Sequence, residues 1–148
     1  NFKNGRKSML IVSFAGVLTN LILATVSLFL LYFFQFIVFS DNAFFYTEAG
    51  IVIWEVVYYV LYFMVFINLN LAVFNLVPIP PLDGYKIFKE FLGGRVSYNF
   101  FMNMERYSTI ILLVFLVISN RLGIISGVSD FLFGLMQKVM NLIFTAFI

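Results

Sequence analysis

The stretch Asn75-Leu-Val-Pro-Ile-Pro-Pro-Leu-Asp-Gly84 concentrates the chemistry that this sequence can offer. An apolar run reaches Asn75, prolines follow at 78, 80 and 81, and one carboxylate, Asp83, stands after them. Proline lacks an N–H and clashes with the preceding turn, so regular helix cannot run through. At membrane depth, non-helical backbone survives only where protein or a water-filled cavity satisfies it. An ionisable residue in such surroundings is a functional candidate by default. Gly84 allows a tight turn or a close approach to a ligand. The plain alternative is an Asp-Gly turn at the membrane surface, which spacing alone supports equally well. The sequence contains no Cys and no His. Disulfides, thiolate sites and cysteine nucleophiles are thereby excluded, and the commonest metal ligand and general base is missing. Chemistry must come from carboxylates, hydroxyls, amides, lysines or residues outside the chain.

The elements that carry these residues are apolar. Of 148 residues, 63% are hydrophobic and 11% charged, against about 45–50% and about 25% in soluble domains. So few charges cannot cover a core, and the solvent this chain calls for is a lipid bilayer. The net charge of +2 is too small to argue for nucleic acid. Ser8 to Phe39 holds no charged residue and exceeds the roughly 20 residues that cross the hydrocarbon. Residues 8–39 are expected as one tilted span, with Phe33, Phe34 and Phe36 facing lipid. A loop over 40–50 carries Asp41 and Glu48, and Phe44, Phe45 and Tyr46 suit an interfacial aromatic belt. A second span is expected over 51–77, with Glu55 snorkelling near its start. Residues 85–106 read as a short amphipathic helix plus loop, with Lys86, Lys89 and Arg95 on a solvated or headgroup-facing stripe. A third span is expected over 107–128, and residues 131–148 either span or lie flat. The fold expected is a single all-α integral membrane domain, a bundle of three or four transmembrane helices. Lys and Arg number three in residues 1–7, none in 40–50 and four in 85–106. The excess of positive charge on cytoplasmic loops puts residues 1–7 and 85–106 in the cytoplasm of a cell-membrane protein.

N-x-x-P-x-P-P-L-D-G at the end of a span resembles the site-2 protease family of intramembrane zinc metallopeptidases. NLVPIPPLDGYKIF is similar to the bacterial branch, in which this motif precedes a short amphipathic helix. The resemblance implies that Asp83 is the third zinc ligand, and that Asn75 positions substrate or stabilises the oxyanion. Ala15-Gly16-Val17-Leu18-Thr19-Asn20 resembles the A-G-P-x-x-N element of the helix after the catalytic one, with Val17 in place of Pro. It implies a substrate-positioning part for Asn20, whereas plain helix packing is the better reading for Gly16. The segments 1–12 and 107–119 are also similar to the family's, so the likeness covers nearly the whole chain. The family's zinc site also needs H-E-x-x-H, two His facing the metal and a Glu as general base. That helix belongs upstream of Asn1, and a fragment that starts after it is expected. The implied activity is zinc-dependent cleavage of membrane-embedded protein substrates. The rival reading is a non-enzymatic scaffold, or a transporter-like bundle that binds an ion at a broken helix. Asn68 and Asn70 either line a groove or hydrogen-bond between helices.

Overall fold

The structure is a computed structural model that describes residues 2–39, 43–92, 94 and 96–145; the side chains of residues 2–7, 9 and 39 are not described. Asp41 and Arg95, expected in the first loop and on the basic stripe, lie outside the described residues. All regular structure among the described residues is helical.

The first helix, α1, spans Phe2–Phe39, and α2 spans Glu48–Asn75. In lipid every backbone polar group needs an internal partner, so long uncharged runs without proline become helix. Among the described residues, two helices are long and apolar enough to cross a membrane, Leu10–Val38 and Glu48–Asn75. A 28-residue helix extends about 42 Å at 1.5 Å per residue, enough to cross about 30 Å of hydrocarbon with tilt. The two form an antiparallel hairpin. On α1 the buried stripe is Ser13, Val17, Ala24, Leu28, Leu31 and Val38. These recur at helical spacing and form one face. They meet Val65, Leu69, Ala72 and Val73 of α2. Ala24 is wholly buried, and a small residue there lets the two backbones close up.

The far end of the hairpin is an aromatic cluster. A 3-10 turn, Ala43–Tyr46, leads into α2, which starts three residues before the expected span because Thr47 caps it, accepting from the Gly50 N–H at 3.1 Å. Phe34, expected to face lipid, instead packs on Trp54 at 5.6 Å and Phe45 at 5.7 Å between ring centroids.

Beyond α2, the short helices α3 (Asp83–Leu92) and α4 (Tyr98–Arg106) replace the expected helix plus loop. Helix α5 covers Ser108–Leu122 and α6 covers Ile124–Thr145. The apolar run 107–128 is therefore not one helix. Gly123 adopts φ +63 and its N–H bonds Ser119 O, a left-handed cap that glycine takes at little steric cost. Helices α4 and α5 meet at a bend of 74°, and together they make a third candidate span.

The direction of α6 follows from its contacts. Ser129 near its start bonds Asn70, Phe133 packs on Tyr62, and Phe144 near its end packs on Phe29 and Tyr32. Helix α6 thus lies along the hairpin, antiparallel to α2 and parallel to α1. The segment expected from 131 begins at 124, at the same end of the bundle as the proline loop.

Candidate functional site

Helix α2 stops at Asn75, three residues before Pro78. Proline disfavours helical backbone at the residue before it, so Val77 is the last residue to make a helix-like turn, donating to Phe74 O at 3.1 Å. The loop then closes on itself. Ile79 N–H donates to Val77 O at 2.8 Å, Leu82 N–H to Ile79 O at 2.9 Å, and Tyr85 N–H to Leu82 O at 3.2 Å. These N–H groups find partners within the loop, so protein, one of the two means expected from the sequence, satisfies them. Pro80 and Leu82 are buried, and Pro81 turns outward.

Gly84 makes this compact loop feasible. A Cβ there would lie 2.2 Å from Leu76 O and 2.6 Å from Val77 O. The first turn of α3 therefore rests on the end of α2, and the close approach at Gly84 is to the chain's own backbone.

Asp83 opens α3 and faces α1. Its Oδ1 accepts from Ser13 Oγ at 3.4 Å and from Lys86 Nζ at 2.7 Å. Its Oδ2 has no hydrogen-bond partner among the described residues, and lies 3.5 Å from where a Cβ on Gly16 would be. Ser13, Gly16 and Asn20 share one face of α1 by their spacing. The Asp83 side chain is 27% exposed. Its place in the first turn of a helix also sets its charge against the positive end of the helix dipole.

A second cluster fixes α3 to α4. The buried Tyr85 donates through its hydroxyl to Glu105 Oε1 at 3.0 Å and to Phe101 O at 3.3 Å. Lys89 also pairs with Glu105. Burial, with help from Glu105, pushes the Tyr85 phenol up to about 12. Asp83 thus sits on a helix anchored at its other turns.

The structure brings Asp83 to α1 beside Gly16, but no hydrogen bond among the described residues joins it to Asn75 or Asn20. Both asparagines are half-buried. Asn70 bonds across to Ser129 at 3.1 Å, an interhelical use, and Asn68 bonds back to Met64 O at 2.8 Å. Sequence reasoning did not single out Ser13 or Tyr85. The available signals were a serine three residues before Gly16 on the same face, and a tyrosine directly after the Asp-Gly pair.

For a zinc site the donor set is partial. Oδ2, which takes none of the hydrogen bonds among the described residues, would fill one ligand position, but no group of three or more His, Cys, Asp or Glu converges among the described residues.

No solved structure matches the chain. Candidate zinc metalloproteases from two strains of Streptococcus pneumoniae are each 37% identical over 59 residues, 40% of this chain and 14% of theirs. The candidate zinc metalloprotease YwhC of Bacillus subtilis is 35% identical over 118 residues, 78% of this chain. That alignment covers 49% of YwhC, so the chain spans about half the length of this relative. The sequence profile of Peptidase family M50 matches residues 2–119, from the start of α1 through the proline loop and most of α5, and the chain therefore belongs to that family, the site-2 proteases.

Proposed function

We propose that this chain is part of an intramembrane zinc metalloendopeptidase that cleaves membrane-embedded protein segments, and that it contributes Asp83 as the third zinc ligand. The supporting observation is the Asp83 carboxylate, held against α1 by Ser13 with Oδ2 beside Gly16 and without a hydrogen-bond partner among the described residues. Two histidines and a general-base Glu would come from an H-E-x-x-H helix elsewhere in the full protein. When bound, zinc supplies Lewis acidity toward the scissile carbonyl and lowers the pKa of a water to about 7. This chain's own residues do the rest of its share. Asp83 adds negative charge to an otherwise neutral imidazole pair. Asn75, at the last turn of α2, donates its amide to the substrate carbonyl, and Asn20 orients the substrate from α1.

A ligand set of one carboxylate does not hold zinc. The 148-residue chain alone is expected to lose zinc on dialysis against a weak chelator, and to cleave nothing. Stoichiometric zinc by elemental analysis after that dialysis would contradict the assignment of the remaining ligands to a segment outside this chain.

We also propose that the proline loop and α3 lie at the cytoplasmic face of the cell membrane. The absence of native cysteine allows a test by single-cysteine labelling. A cysteine at Phe44 should react with a membrane-impermeant reagent from the outside, and one at Lys86 only after the cytoplasmic side is opened. The reverse pattern would invert the topology.

A further inference from the structure

We infer that Ser13 is a positioning residue for Asp83: its hydroxyl engages Oδ1 and so leaves Oδ2, which has no hydrogen-bond partner among the described residues, as the oxygen available to a metal. This rests on the reading of Asp83 as a zinc ligand and adds a residue from a different helix, 70 positions earlier in the chain.

Ser13 is 1% exposed, in the part of α1 that faces α3. A buried hydroxyl needs a partner. The exposed Thr19 and Thr25 bond back to Ala15 O and Leu21 O, each at 2.8 Å. Ser13 instead reaches across to Asp83. At 3.4 Å the bond is long, so its value lies in direction more than in strength.

Lys86 cannot do the same work. It binds the same oxygen, but from one turn further along α3, and its side chain is 42% exposed. It travels with Asp83 and leaves the carboxylate's position relative to α1 undetermined. Among the described residues, Ser13 makes the one side-chain hydrogen bond that joins α1 to α3. Gly16 completes the arrangement, because the residue one turn beyond Ser13 has no side chain to cover Oδ2. One oxygen is therefore hydrogen-bonded from α1, and the other lies beside an α1 residue that has no side chain.

Partners that orient a ligand from behind typically account for about 10–100-fold in metal affinity. The test uses the full-length protein with Ser13→Ala, Ser13→Thr and Asp83→Asn, and reads the zinc dissociation constant by competition with a chromophoric chelator. Ser13→Ala should weaken zinc by about 10–100-fold with helix content unchanged. Ser13→Thr keeps a hydroxyl and should restore affinity toward the native value. Native affinity in Ser13→Ala, while Asp83→Asn has lost zinc, would overturn the inference and leave the ligand assignment standing. Equal weakening in Ser13→Ala and Ser13→Thr would also overturn it, since the hydroxyl would then be irrelevant. Native affinity in Asp83→Asn would remove the reading on which it rests.

Discussion

Asp83→Asn in the full-length protein is expected to lower cleavage of a membrane-embedded substrate by at least about 10²–10³-fold, the cost typical of one key electrostatic group, with zinc content falling alongside. Asparagine preserves the shape of aspartate and is a good turn residue, so the loop should survive the exchange. What disappears is the charge. The remaining donors would be two neutral imidazoles, with less negative charge to balance a divalent metal. The Lys86 ammonium, now 2.7 Å from Oδ1, would lose its counter-ion as well. Asp83→Ala should be no better. Asn75→Ala offers the contrast, with turnover lowered and zinc near normal, because Asn75 is assigned to the substrate carbonyl. Elemental analysis and a cleavage assay on the same preparations separate these cases. Full zinc and full activity in Asp83→Asn would return NLVPIPPLDG to a structural helix break.

Gly84→Ala should be nearly as damaging, although it keeps every proposed zinc donor. The added Cβ would meet Leu76 O at 2.2 Å, Leu76 C at 2.4 Å and Val77 O at 2.6 Å. All three are backbone atoms and cannot rotate aside. The first turn of α3 must lift away from the end of α2, and it carries Asp83 with it. Overpacking of this kind costs about 1–3 kcal/mol. For the chemistry, a displacement of about 1 Å can cost ~10²-fold. A lowered thermal midpoint in detergent, zinc partly retained and activity strongly reduced form the expected signature. Native melting together with native activity would show that the loop relaxes without moving the carboxylate.

The parts of this molecule legible in its sequence are those fixed by local composition. Leu10–Val38 and Glu48–Asn75 follow from uncharged length, and the end of α2 follows from Pro78. The break at Gly123 is less visible, because apolar residues continue on both sides and glycine is common in membrane helices; the backbone angle alone marks it. The course of α6 is hidden for a different reason. It depends on Asn70 meeting Ser129 across 59 residues, and neither residue differs locally from a lipid-facing polar group. At the site, the proline motif drew attention to Asp83 and Asn75. Ser13 was indistinguishable in sequence from Ser27, which is equally buried on the same helix. Its meaning appears only when α3 is folded back against it.

The hairpin of α1 and α2 also sets an order of events during synthesis. Its two arms are joined by the few residues between Phe39 and Glu48, so bringing them together carries a small loop-closure cost. Chains are made from the N-terminus, and early segments can pair before later ones exist. Ser13 and Gly16 can therefore already be paired with α2 when the proline loop is made, so the α1 side of the Asp83 surroundings precedes Asp83 itself. Helix α6, whose partners on α2 lie some 60 residues back, is made after that hairpin and closes over it.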